Sequence, residues 1–215
     1  MPSNVFKNIR RTRALLSGAV SALVLSACGG GGSSDASTPP APTQVLSLFA
    51  GSADGSGHQD GAAPSARFSV RVRGMAVTST GDVVIADAGN NAIRKLSAAG
   101  QVSTVAGGGV TNISVYGPPT VNYADGTGTA AQFDAPEAVA VDTAGNTYVA
   151  DAKNHVVRKI DAVGKTTTLA GRPGKCGNAD GLALAATLCN PSSIAVDGAG
   201  NVYVAEMGSA DGRVS

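Results

Sequence analysis

The 215-residue chain has 29 glycines, no tryptophan and only 14% charged residues, a composition suited to short strands joined by glycine turns rather than to helices. Its net charge of +1 mixes two parts: residues 1–27 hold Lys7, Arg10, Arg11 and Arg13 and no acid, and the remainder carries 12 basic against 15 acidic residues. That mildly acidic remainder has no electrostatic footprint for nucleic acid, which excludes DNA and RNA as expected partners.

The chain opens as an export signal. The basic stretch ending at Arg13 precedes an apolar run, Ala14 to Leu25. Twelve helical residues rise about 18 Å, short of a hydrocarbon core of about 30 Å, so residues 1–27 read as a signal peptide and not a membrane span. The run closes in Leu25-Ser26-Ala27-Cys28, which resembles the lipobox of bacterial lipoproteins, with the Cys28 thiol as the acceptor of diacylglycerol. Ordinary cleavage near Ala27 beside an incidental cysteine is the alternative. The resemblance implies a multiply acylated cysteine, and one chain alone anchors only marginally. By the same resemblance, Gly29 in place of Asp after the cysteine implies the outer membrane, facing the periplasm or the cell surface. Residues 28–43, with Gly29 to Ser34 and then Pro39, Pro40 and Pro42, form a tether that is flexible in its first half and stiffer in its second.

Residues 44–215 are repetitive. Gly74 to Asp87, Ala138 to Asp151 and Ile194 to Glu206 align, each as a short apolar strand, a Gly-Asp or Gly-Asn turn and a second apolar strand. Glycine at such turns supplies the positive φ a tight hairpin needs. Asn91 to Leu96 and His155 to Ile160 predict a third strand; Gln101 to Gly107 and Lys165 to Gly171 predict a fourth. Four antiparallel strands make one blade, so the expected fold is all-β, a partial, open β-propeller with blades near 44–107, 108–171 and an incomplete 172–215. Gln44 to Gly51 matches the fourth-strand pattern with no blade before it, the device by which a propeller closes its ring. The third copy is expected to break off, since its tail from Met207 to Ser215 shows no Arg-Lys strand.

The pattern Pro136, Ala138 to Asp142, Gly145-Asn146, Tyr148 to Asp151, Asn154-His155 and Val157 to Ile160 resembles the NHL repeat. The resemblance implies a ring of about six blades. The first copy departs from it, with Asn90-Asn91 in place of Asn-His. Asp87, Asp151, Asn154, His155 and Arg158 are the blade-motif residues; in Arg94-Lys95 and Arg158-Lys159 one residue of each pair is expected to face solvent and the other to snorkel or pair with an acid, with Asp87 and Asp151 as the expected partners. His155 is expected at a strand start, packed and hydrogen-bonded at the blade edge; a ligand or base role is the alternative.

A second regularity precedes each blade. Asp60-Gly61, Asp125-Gly126 and Asp180-Gly181 stand six residues before Ala66, Ala131 and Ala186, and eight before Phe68, Phe133 and Leu188. Asp60, Asp125 and Asp180 are the candidate ligand contacts on a loop face. The expectation is a turn whose carboxylate takes local backbone N–H groups while the aromatic plugs the gap between blades. The alternative, a carboxylate ring for a cation, falls short of the about six to eight oxygens calcium takes. Cys176 and Cys189 flank the third loop; their spacing and an oxidising compartment point to a disulfide, with a metal or redox pair as the rival.

No catalytic set, cofactor or metal is expected. The leading reading is a membrane-tethered, non-enzymatic binding or scaffold module for a protein or glycan ligand. An open arc that self-associates to complete a ring goes with it. The alternatives are a fragment of a six-bladed metal-dependent lyase or lactonase and an inactive truncated product. The two histidines, His58 and His155, lie in different blades, which argues against the converging ligand set such an enzyme needs.

Overall fold

The computed structural model describes residues 50–51, 56–108 and 122–207. The signal segment, Cys28, the tether and most of the Gln44 to Gly51 strand lie outside them. The described residues hold twelve strands: β1 (Gly61–Ala62), β2 (Val72–Val77), β3 (Val83–Asp87), β4 (Ala92–Leu96), β5 (Gln101–Gly107), β6 (Gly126–Thr127), β7 (Pro136–Val141), β8 (Thr147–Asp151), β9 (Val156–Ile160), β10 (Lys165–Gly171), β11 (Pro191–Val196) and β12 (Val202–Glu206). Helical structure among them is limited to four single turns of 3-10 geometry.

The strands form antiparallel sheets in the orders β1-β5-β4-β3-β2 and β6-β10-β9-β8-β7, and a pair β11-β12. β2 to β5 and β7 to β10 are the four-stranded blades the repeat predicts. The sequence reading missed a fifth strand: β1 and β6, the residues at each Asp-Gly, lie along the outermost strand of their own blade, with Gly61 opposite Val102 and Gly126 opposite Thr166. A two-residue strand has too few positions to show an alternating pattern. The hairpin turns at Gly81 (φ 85°), Gly145 (84°) and Gly200 (86°) all sit in the left-handed region, which accounts for glycine there.

Each sheet is apolar on both faces, because successive side chains point to opposite sides. In β3, Val84 and Ala86 face the second blade while Ile85 faces the other way, into a cluster with Ala63, Ala66, Leu96 and Val102. In β8, Val149 faces back to the first blade, and Tyr148 and Ala150 face forward to Leu188, Ile194 and Val204. Phe133, fully buried, fills the gap between the first two blades. β2 packs beside β7, and β7 beside β11, so the first strands of successive blades are neighbours. Face-to-face antiparallel sheets arranged in this way are a partial β-propeller.

Candidate functional site

The polar groups singled out by the repeats converge at the base of each loop that precedes a blade. The second strand ends in an acid, Asp87 or Asp151. A 3-10 turn follows, and then a residue in the left-handed region, Asn91 (φ 50°) or His155 (φ 59°). The third strand then places an arginine seven residues beyond the acid. Opposite the left-handed residue runs Gly107 or Gly171; a Cβ on either would strike the carbonyl of Asn91 or His155.

Arg94 and Arg158 are fully buried, while the neighbouring Lys95 points outward. Nη1 of Arg94 donates to Asp87 Oδ2 (3.1 Å) and to the Arg67 carbonyl (3.1 Å). Its Nη2 donates to Asp60 Oδ1 (2.6 Å) and to the Gln59 carbonyl (2.9 Å). Arg158 repeats the pattern on Asp151 (3.1 Å), Gln132 (2.9 Å), Ala124 (2.6 Å) and Asp125 (2.8 Å). The first guanidinium lies over the Phe68 ring at 5.1 Å; the second lies between Tyr123 (4.6 Å) and Phe133 (5.0 Å). Each arginine thus clasps both sides of a small loop hairpin, closed at its base by the bridges Gln59–Arg67 and Ala124–Gln132.

The Asp-Gly carboxylates do not take N–H groups from their own loops, as the sequence suggested. Asp60 Oδ2 accepts the N–H of Thr104 (2.9 Å), and Asp125 Oδ2 that of Thr168 (3.2 Å), both on the blade's fourth strand. Partial burial pushes the Asp60 carboxyl up, but the Thr104 N–H and the Arg94 guanidinium outweigh it and hold it below the ordinary carboxylate range. The strand-end acids are bound differently. Asp151 Oδ1 accepts the Asp134 N–H (2.8 Å), and Asn154 Nδ2 donates to Asp151 Oδ2 (2.8 Å) and to the Asn122 carbonyl (2.8 Å). Complete burial raises the Asp151 carboxyl to about 7, against the opposing pull of Asn154, the Asp134 N–H and Arg158.

His155 joins two blades. Its Nδ1 accepts the N–H of Asn190 at 3.1 Å, and in the preceding blade Asn91 Oδ1 accepts the N–H of Ala135 at 2.8 Å. Both donors have positive φ, 50° and 52°. Burial lowers the pKa of His155, which favours the neutral ring that can accept a hydrogen bond.

In the third unit the loop hairpin returns, with the Thr187 N–H on the Ala179 carbonyl (3.0 Å) and the Gly177 N–H on the Leu188 carbonyl (3.2 Å). Cys176 and Cys189 form a disulfide at its base. Asp180 is exposed, with no cation in salt-bridge range among the described residues. No group of three metal-ligating side chains converges among the described residues. Sequence reasoning missed Thr104, Thr168 and Asn190; the first two carried a readable signal, since they stand 44 and 43 residues after Asp60 and Asp125.

No protein-family model matches the chain, and no curated protein does. Solved structures do. A structural genomics protein of unknown function from Bacteroides thetaiotaomicron aligns at 27% identity and a TM-score of 0.50, over 59% of this chain and 30% of that one. An auxiliary nutrient binding protein from the same species aligns at 20% identity and a TM-score of 0.49, over 60% and 33%. One from Bacteroides ovatus aligns at 24% and 0.47, over 60% and 33%. The likeness is one of fold. The chain spans about a third of the length of these structures, at 30%, 33% and 33%.

Proposed function

We propose that the chain is a non-enzymatic binding or scaffold module built of NHL-type blades, exported and held at the outer membrane through a lipidated Cys28. One observation carries this reading: the acids and arginines that could do chemistry are spent on each other. Arg94 and Arg158 are sealed from solvent, and Asp60 and Asp125 are taken up by arginine and threonine donors. The clasp makes a rigid loop base, and the segments beyond it differ in length, 108–135 against 172–190. Rigid frames that display variable loops suit recognition. The positions of Asn154 and His155, one bracing the strand-end acid and the other joining blades, support the NHL reading. The disulfide supports export into an oxidising compartment.

The ligand class is a protein or a glycan, with the loop tips as the contact surface. The test is to screen the purified chain against defined oligosaccharides and peptides, and in parallel against lactone substrates with added zinc or calcium. Saturable binding without turnover is the expected result. Metal-dependent turnover overturns the reading in favour of a lyase or lactonase. Palmitate labelling that is lost in Cys28→Ser tests the anchor separately.

A further inference from the structure

The tips of the three loops occupy matching positions but differ in chemistry. Residues 62–65, 127–130 and 182–185 follow the Asp-Gly of each loop. The exposed positions hold Ala62 and Pro64 in the first tip, and Thr127 and Thr129 in the second. The second tip lies between two complete outer strands, β5 and its own β10, and both threonines still face solvent. A finished blade therefore leaves these positions in water. In the third tip they hold Leu182, 89% exposed, and Leu184, 54% exposed. Between the leucines stands Ala183 at φ 45°, where the second tip has Gly128 at φ 58°. A side chain in the left-handed region costs backbone energy, and here it enlarges the apolar tip. Leucines at positions that a finished blade leaves in water point to a contact outside the fold.

Two features say what covers the tip. Its carbonyls already carry donors: the Ala185 N–H on Leu182 (2.8 Å), the Ala186 N–H on Ala183 (3.3 Å) and Arg172 Nε on Leu184 (3.2 Å). Carbonyls bonded in this way can leave water for a medium that offers no donors. The second feature is charge. Arg172, beside the tip, and Lys175, at the base of the loop, are exposed with no carboxylate in salt-bridge range among the described residues. Asp180 is the one acid of segment 172–190. Leucines backed by cations match a surface that is apolar below and negative at its headgroups. We propose that the third tip seats in the interface of an anionic phospholipid membrane, with Leu182 and Leu184 among the upper acyl chains. Its seating there rests on the lipid-anchored reading above, which keeps such a surface within reach of the domain. The third tip then leaves the ligand surface to the first two. The Cys176–Cys189 disulfide pins the loop at its base, so little order is lost on contact.

The chain has no tryptophan, so one introduced at the tip reports alone. The full chain is mixed with vesicles of phosphatidylethanolamine and phosphatidylglycerol. Leu182→Trp is expected to emit further to the blue than in buffer and to be quenched by bromine-labelled acyl chains. Thr127→Trp, at the matching position of the second tip, is expected to keep the emission of a water-exposed indole. Leu182→Trp emission unchanged by vesicles overturns the inference, and so do equal shifts at both sites. A blue shift that grows with protein concentration in vesicle-free buffer also overturns it, by placing a second copy on the tip. Palmitate labelling of the same chain reports the anchor separately. Label without a tryptophan shift sinks the tip contact and leaves the anchor; a shift without label supports the tip contact and sinks the anchor.

Discussion

Nη1 of Arg158 lies 3.1 Å from Oδ2 of Asp151, and both side chains are wholly buried. The pair is useful to the fold only while both members are present, because an unpaired charge left inside costs more than the pair contributes. Arg158→Met is therefore expected to destabilise the chain by about 3–5 kcal/mol, read as a shift in urea midpoint at pH 8. Arg158→Lys is expected to lose nearly as much, because a single ammonium cannot span Asp151, Asp125 and two carbonyls. A lysine variant of wild-type stability would show that charge alone, not the fork, holds the loop.

The same burial sets a pH dependence. The Asp151 carboxyl is raised from its ordinary value of 3.8 to about 7, so the folded state holds this proton more tightly than the unfolded chain. The contribution of this group to stability is then fully present below pH about 4 and is lost as pH rises through about 7. Asp151→Asn is expected to remove that slope. The measurement is the difference in denaturation midpoint between wild type and variant across pH 4 to 8; a difference that does not change with pH excludes Asp151 as its source.

His155 and Asn91 do the same work with different chemistry, each accepting an N–H from the next blade while held in the left-handed region. His155→Asn is expected to be close to neutral, because asparagine both tolerates that backbone and offers an acceptor. His155→Ala loses the acceptor and strains the backbone, and is expected to cost about 2–3 kcal/mol in urea unfolding.

The Cys176–Cys189 bridge closes a separation of 13 residues. Its removal by Cys176→Ser with Cys189→Ser is expected to cost about 3 kcal/mol on the chain-entropy argument. Thiol titration of the native exported protein should find neither cysteine free. Two titratable thiols without reductant would show that the bridge does not form.

The two outer faces of the arc differ from the inner ones at equivalent positions. Met75 is 66% exposed where Val139 is 6%, and Tyr203 is 47% exposed where Tyr148 is 6%. Within the chain these are the two faces that meet between blades. A second copy stacked head to tail would cover both, and sedimentation in the micromolar range is expected to show self-association that Met75→Glu with Tyr203→Glu weakens. A monomer at all concentrations counts against it.

The strands were legible because a sheet buried on both faces writes a continuous apolar run such as Val84-Ile85-Ala86, set off by glycine turns. That Asp151 would pair with one of Arg158 and Lys159 was legible from their strand, but which of the two turns inward is shown by the structure, where Arg158 takes the buried place. The tie between Asp60 and Thr104 went unread: it crosses from a loop to the far strand of the blade, and its one mark in the sequence is the recurrence of nearly the same offset between Asp125 and Thr168. For His155 the sequence carried a hydrogen-bonded place at the strand start but not its partner: its acceptor function depends on a left-handed backbone that exists only once the 3-10 turn has formed.

The arginine clasp also divides each loop into parts with different tolerances. The arginine's anchor points in the second loop (Tyr123, Ala124, Asp125, Gln132 and Phe133) lie at the ends of the hairpin, while its tip is tied to the blade by one bond, the Gly128 N–H on the Gly164 carbonyl at 3.1 Å, and Thr129 and Ala130 are exposed. The two exposed side chains at Thr129 and Ala130 are thus the exchangeable part of the loop, and sequence can vary there so long as the Gly128 tie to the blade is kept.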